Sequence, residues 1–144
     1  MQNKEFIQKN VKNFYWKEEI NCATTMMKIL SKLYHIRLDK QIIDGALGLH
    51  GAGGFGAQCG LVEGGLIFLG ILGKQHSLSN EEIVKLCYAY AQNFEKTFGS
   101  LSCTILRPQG FHPNNPPHLC ESLTNKAVQF AIAYCEEKGF KTAI

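Results

Sequence analysis

Residues 51–73 have the sequence GAGGFGAQCGLVEGGLIFLGILG, a glycine-rich loop that runs into an apolar segment. Glycines at this density are typical of tight turns, positive φ angles and close backbone approach. From Leu61 onward the apolar residues cover nearly all sides of a helix, which predicts a helix buried in the centre of the domain. Gly60 and Gly64 are four residues apart, so they form a flat helix face that a second helix can approach closely. Cys59 stands where the loop ends and this helix begins.

Apolar residues at helical spacing flank this segment on both sides. They predict amphipathic helices over residues 3–16 and 20–36 and a helix of about three turns that Asp39 caps and that ends near Gly51. After the central segment they predict a helix from the capping box at Ser79 to Gly99 and a helical turn within residues 101–106. A long final helix is predicted from Pro116-Pro117 to Gly139. Gly73 is expected to end the central helix. Strand patterns are almost absent. The sequence therefore predicts an all-α fold, a compact single-domain bundle of about five to six helices that spans residues 1–144.

Composition and charge exclude several classes of function. The net charge is +3 and the lysines are dispersed, so nothing argues for a nucleic-acid partner. Residues 61–72 are the most apolar run, but this run is too short to span a membrane and it contains Glu63. The N-terminal segment is charged throughout, unlike a signal peptide, so we expect a cytoplasmic protein. The glycine loop follows a predicted helix rather than a strand, which excludes a dinucleotide-binding loop.

Six cysteines are many for a cytosolic chain of this length, and no CxxC pair exists among them. Zinc ribbons and thioredoxin-type motifs are therefore excluded. Cys22, Cys59 and Cys120 fall in the first turn of predicted helices, and Cys103 lies between a helix end and a proline-rich loop. Free N–H groups and the helix dipole favour a thiolate at such places, so we expect lowered pKa values for these thiols.

The other two cysteines, Cys87 and Cys135, lie within predicted helices among apolar residues, and we interpret them as core side chains. Glu63, one helical turn after Cys59, is the best candidate to support the cysteine site, either by hydrogen bonding or by accepting a thiol proton. His50 and His118 lie near cysteines in the sequence. We interpret them as helix-end residues rather than as bases for a nucleophilic cysteine.

The order of these motifs resembles the signature of a known family. One cysteine near the start is followed by GFGAQCGLVEGG at residues 54–65, then by Phe98-Gly99-Ser100 leading to the third cysteine, and then by the fourth. This order resembles the C…GCAxxG…C…C pattern that names a family of redox-active proteins. The resemblance covers about residues 18–139. Its four signature positions fall on the following residues: Cys22, Cys59, Cys103 and Cys120.

The resemblance implies a helical fold and a redox role. A similar four-cysteine module accompanies haem in split-Soret cytochromes, where an iron–sulfur cluster is implied. This chain has no CxxCH motif, so no covalent haem follows. It also departs from the family pattern at Gln58 and at Leu61, the position after Cys-Gly where the family has a small residue. These departures change the packing around the site and leave its thiols in place.

We therefore predict a redox-active protein in which Cys22, Cys59, Cys103 and Cys120 are both the redox residues and the ligands of an iron–sulfur or other metal centre for electron transfer. Gly60, Gly64 and Glu63 are expected to support them. A zinc site with four sulfurs would instead be closed and structural.

Two alternatives remain open at this point. In the first, pairs of these cysteines exchange between dithiol and disulfide with no metal or other cofactor. In the second, the chain is a non-catalytic helical binding module with buried cysteines. The sequence leaves open whether the protein is an oxidoreductase or an electron carrier, and which partner protein it meets. The high apolar fraction and the close helix contact that Gly60 and Gly64 permit are compatible with a homodimer, and the same glycines could equally serve packing within the chain.

Overall fold

The computed structural model describes residues 3–107, 112 and 114–143. Within these residues, five helices have 12 to 19 residues, and three short helices and one 3-10 turn connect them. In chain order they are α1 (Lys4–Trp16), α2 (Cys22–Leu33), α3 (Lys40–Gly45), α4 (Gly51–Gly54), α5 (Gly60–Gln75), α6 (Asn80–Phe98), α7 (Cys103–Leu106), the 3-10 turn (Pro117–Cys120) and α8 (Glu121–Glu137). The described residues contain no strand, which confirms the all-α prediction.

Helix α5 lies at the centre of the fold, as its sequence predicts. Leu61, Val62 and Phe68 are fully buried. Helix α2 makes the most extensive contact with α5. The backbones touch there because Gly64 lies against the backbone of Ala23, where any Cβ would collide with the Ala23 carbonyl. The predicted close approach on the glycine face of α5 is therefore confirmed within this chain.

Helices α6 and α8 form the opposite side of the core. Their aromatic rings contact one another in one continuous cluster, with centroid separations between 4.5 and 6.4 Å. Gly65 of α5 makes room for this cluster, since a Cβ there would collide with the hydroxyl of Tyr90. Cys135 is buried beside the cluster, and Cys87 is half-buried with its Sγ 3.9 Å from the carbonyl oxygen of Leu66. Both thiols lie in packed helix interfaces.

Several helix ends differ from the sequence prediction. The helix expected over residues 20–36 covers only Cys22–Leu33, and His35 beyond its end has a positive φ angle, which a right-handed helix does not allow. Asp39 immediately precedes α3, but its side chain makes no capping hydrogen bond. The helix after Asp39 stops at Gly45 instead of continuing to Gly51. The Asn21 side chain donates hydrogen bonds to the carbonyl oxygens of Ala46 and Leu47, at 2.9 and 3.1 Å, and thereby gives these groups partners outside a helix.

Helix α5 ends two residues later than expected, at Gln75. Gly73 serves close packing instead of ending the helix, because a Cβ there would lie 2.6 Å from Cγ1 of Ile83.

Within the described residues, no helix has the length and hydropathy that crossing a bilayer requires. The predicted proline-rich loop after Arg107 falls partly outside the described residues.

Candidate functional site: a cavity lined by four cysteines

The four signature cysteines all line one cavity of about 380 Å³. Cys59 and Cys103 are buried, whereas Cys22 and Cys120 are half-buried, and all four are free thiols. The cavity lining, which consists of described residues, does not include Cys87 or Cys135. The site cysteines therefore come together from four separate parts of the chain, and the other two lie elsewhere.

Each of the four lies at the start of a helical segment. Cys22 and Cys103 are the first residues of α2 and α7, and Cys59 and Cys120 immediately precede α5 and α8. At Cys22 the predicted cap is present, since the Asn21 side chain accepts a hydrogen bond of 2.8 Å from the N–H of Thr24. Asn21 therefore fixes the start of α2 and also connects it to the end of α3.

Two short backbone hydrogen bonds join the loops that carry Cys59 and Cys103. The N–H of Cys59 donates to the carbonyl oxygen of Leu101, and the N–H of Cys103 donates to that of Ala57, both at 2.7 Å. These bonds form an antiparallel β-bridge one residue pair in length. A bridge of a single pair leaves no alternating pattern in the sequence, so it could not be predicted from the residues alone. The bridge fixes the relative position of the two buried cysteines.

The glycine-rich loop surrounds this bridge. Gly51, Gly53, Gly54 and Gly56 all have positive φ angles, which allow the loop to fold back in a short space. A Cβ at Gly51 would lie 3.2 Å from Sγ of Cys103, so the loop backbone itself forms part of the wall around this thiol. The prediction that the glycines are backbone devices rather than a phosphate-binding loop agrees with this placement.

For Cys22, Cys59 and Cys120, the expected lowering of the thiol pKa is wrong in direction. Burial raises the pKa of the Cys59 thiol to about 12, although the N–H groups of Leu61 and Val62 oppose the shift. Burial, and then the adjacent thiol of Cys59, also raise the pKa of Cys22 well above its usual range. The loss of water around these thiols outweighs the helix-start N–H groups, and each thiolate would further repel the next.

The pKa of Cys120 is also raised by burial, but the positive charge of Arg107 opposes this shift. Arg107 lines the same cavity. A single arginine in a loop leaves no pattern that links it to a cysteine, so the sequence analysis did not find it. It brings a permanent positive charge to the cysteines.

Tyr15 of α1 lies behind the site and is almost fully buried. Its hydroxyl is 2.6 Å from Oγ1 of Thr124. Burial, and then the charge of Cys22, raise the pKa of Tyr15 far above its usual range. The sequence analysis placed Tyr15 in the apolar stripe of the first helix, which is correct for its ring. The proximity of its hydroxyl to the cysteines depends on the packing of α1 and cannot be deduced from the spacing.

The remaining candidates occupy different places. The carboxylate of Glu63 accepts a hydrogen bond from Nε2 of Gln58 and is not part of the cavity lining. His118 stacks on the ring of Trp16, with the centroids 3.9 Å apart, and is also outside the lining. His50 does not lie at the end of α3, which stops at Gly45; it immediately precedes α4 and lines the cavity. The supporting role of Glu63 stays a prediction.

A family model described as "Putative redox-active protein (C_GCAxxG_C_C)" matches residues 20–134. The chain belongs to this family. The match includes all four signature cysteines and confirms the resemblance seen in the sequence. No curated protein and no solved structure matches the chain. The family description supports a redox role, and it names no metal, substrate or partner.

Protein thiolates bind single zinc ions and iron–sulfur clusters, and the arrangement of the four thiols in this redox-active family member can be compared with what each of these requires. A single zinc ion bonds each sulfur at about 2.3 Å, so its ligands must close on one point. Within the described residues, no three or more His, Cys, Asp or Glu side chains are arranged to hold one metal ion. An iron–sulfur cluster is also held by four thiolates, one on each iron of a [4Fe–4S] cluster or two on each iron of a [2Fe–2S] cluster, so its ligands surround a larger body. The four cysteines fit a cluster in number and type, and the cavity of about 380 Å³ offers the space.

Proposed function

We propose that this protein transfers electrons through an iron–sulfur cluster bound by Cys22, Cys59, Cys103 and Cys120. The observation that carries the proposal is that these four cysteines line one cavity while the other two do not. A cluster held by four thiolates supplies one-electron chemistry when it is bound. The family description, a redox-active protein, supports the same class of function.

The residues around the cavity suit thiolates bound to metal. Burial keeps the thiols of Cys22 and Cys59 protonated at neutral pH, so ligation would release their protons. Once deprotonated, the sulfur of Cys59 faces the N–H groups of Leu61 and Val62, which favour its negative charge. The positive charge of Arg107 has the same effect at Cys120. These groups would stabilise an anionic centre that the apolar walls alone would disfavour.

A second candidate is thiol–disulfide exchange without metal, and one contact favours it. The Sγ of Cys22 lies against Gly60, the residue next to Cys59, so tightly that a Cβ on Gly60 would collide with it. Oxidation of Cys22 and Cys59 to a disulfide would release two electrons and two protons, which would reduce a disulfide of a partner protein to two thiols. The raised pKa values make these thiols poor nucleophiles at neutral pH, so we rank this candidate second.

We also propose the setting in which the protein acts. All six cysteines are free, which suits a reducing compartment such as the cytoplasm. The redox partner is proposed to be another protein, and the whole chain is proposed to form one domain. A homodimer stays a proposal, and the glycine face of α5 does not support it, because α2 covers that face.

The decisive experiment is anaerobic purification followed by absorption spectroscopy and by analysis of iron, sulfide and zinc. The proposal predicts bound iron and sulfide together with a broad visible absorption band that reduction by dithionite bleaches. If the cluster is lost during purification, anaerobic reconstitution with iron and sulfide should restore the band. Colourless protein that cannot be reconstituted, and whose four thiols pair reversibly, would replace the proposal with the second candidate. Four inert thiols would contradict both and favour the binding module.

A further inference from the structure

One wall of the cavity is apolar but not buried. Ile43 and Leu47 lie one turn apart and both line the cavity, yet the Leu47 side chain is 66 % exposed. Helix α3, to which Ile43 belongs, has no buried residue at all. Apolar side chains that face a cavity and remain in contact with water gain free energy when an apolar group covers them. This wall therefore suits a ligand with an apolar body.

Charged groups are few among the described residues that line the same cavity. Arg107 contributes a guanidinium, which is always charged and carries five donors in a fork that fits a carboxylate. His50 and Asn115 add polar side chains, and Glu19 adds an exposed carboxylate to the lining. Within the described lining, one arginine opposed by one carboxylate suits a ligand with a single negative charge. A phosphate monoester carries nearly two charges and usually meets several cationic donors.

We infer that this cavity also binds a small organic carboxylate, with its apolar body against Ile43 and Leu47 and its carboxylate at Arg107. A cavity of about 380 Å³ lies at the small end of ligand pockets, which range from about 300 to 1,000 Å³. The ligand class is therefore a monocarboxylic acid of modest size. Binding to the metal-free protein does not depend on the proposed function, whereas in cluster-loaded protein the ligand would share the cavity with the cluster. Electron exchange between this ligand and the cysteine site would rest on the proposed function.

Calorimetry with benzoate, hexanoate and the uncharged isostere benzamide tests the inference on the full chain, both metal-free and after reconstitution with iron and sulfide. We expect benzoate and hexanoate to bind, and benzoate to bind at least about tenfold more tightly than benzamide, because a charge-assisted hydrogen bond to arginine is lost in the amide. Arg107→Gln should remove this preference. Leu47→Asn should weaken the binding of benzoate and of benzamide by similar factors. Arg37→Gln is the matched control, because Arg37 is exposed and outside the cavity lining.

Two results would overturn the inference. One is that neither benzoate nor hexanoate binds to either form of the protein. The other is binding that Arg107→Gln and Leu47→Asn both leave unchanged, which would locate the carboxylate elsewhere. Because Leu47 is largely exposed, its variant should fold even if the Arg107 variant does not. Iron analysis separates this test from the proposed function, since benzoate binding to protein that cannot hold iron would sustain the inference and contradict the cluster.

Discussion

The two groups of cysteines lie on differently built sides of the same central helix. On the side of α2, four thiols stand at helix starts and line a cavity. On the side of α6 and α8, Cys87 and Cys135 lie within helices that pack through aromatic rings. Burial does not separate the groups, because Cys135 is 1 % exposed and Cys59 is 5 % exposed. Position at a helix start beside a cavity is what distinguishes the candidate redox thiols.

The glycines of α5 show the same division. Gly60 and Gly64 face α2, where they allow the Sγ of Cys22 and the backbone of Ala23 to lie directly against α5. Gly65 and Gly73 face α6, where they admit the side chains of Tyr90 and Ile83. The first pair therefore permits backbone contact that positions the cysteine site, and the second pair permits side-chain packing.

The largest effect is expected from Gly64→Ala. The new methyl group would collide with the carbonyl of Ala23 and push α2 away from α5, because a backbone carbonyl cannot move aside as a side chain can. We expect a loss of about 3 kcal/mol in the free energy of unfolding, measured by urea denaturation. Gly70→Ala is the matched control in the same helix, since a Cβ there has no neighbour within 4 Å. It should stabilise the protein by about 0.5–1 kcal/mol. Equal effects of the two variants would refute the close-contact account.

A second prediction concerns alkaline pH and metal-free protein. Burial raises the pKa values of both Cys59 and Cys135 to about 12 in the folded state, whereas unfolded cysteine titrates near pH 8.5. The unfolded state then loses these protons first, so stability is complete below about pH 8.5 and falls as the pH rises toward 12. Denaturation at a series of pH values should show this decline.

The two sides should behave alike in this measurement. Cys59→Ala and Cys135→Ala should each make the decline shallower, because each removes one thiol that is protonated only in the folded state. Without metal, the two kinds of cysteine are both simply buried thiols. A decline that is as steep in both variants as in the original protein would mean that burial does not hold these protons.

A smaller effect is expected from the helix caps. Asn21→Ala removes the cap of α2 and two hydrogen bonds to the end of α3, at a cost of about 1–2 kcal/mol. Ser79→Ala removes the cap of α6, where the serine hydroxyl accepts from the N–H of Glu82, and should cost about 1 kcal/mol. Only the Asn21 variant should also bind less iron after reconstitution, because Cys22 is the next residue. Equal iron content in the two variants would show that the cap does not position Cys22.

Much of the fold could be predicted from the sequence because it depends on local patterns. Apolar spacing defines the five long helices, and Ser79 and Asn21 mark two of their starts through their own side chains. Three cysteines of the candidate site could be selected because they stand at predicted helix starts, and Cys103 because it lies beside a loop. The family signature points to the same four. These features depend on residues close together in the chain.

The rest depends on contacts between distant residues. Helix α3 stops early because of hydrogen bonds from Asn21, which lies 25 residues away. The bridge between the loops of Cys59 and Cys103 joins segments more than 40 residues apart and involves a single pair. The direction of the pKa shifts followed the burial of the thiols, which only the assembled cavity determines. Arg107 reaches the cavity through the same tertiary packing.

The most direct test is a series of six Cys→Ser variants, reconstituted anaerobically and compared by iron content and visible absorption. Four variants change the cavity: Cys22→Ser, Cys59→Ser, Cys103→Ser and Cys120→Ser. Two change the aromatic side: Cys87→Ser and Cys135→Ser. We predict that each of the first four lowers the iron content or shifts the absorption band, and that the other two keep both wherever they fold. Full iron with an unchanged spectrum in any cavity variant, or loss of the cluster in a folded Cys87→Ser protein, would contradict the account.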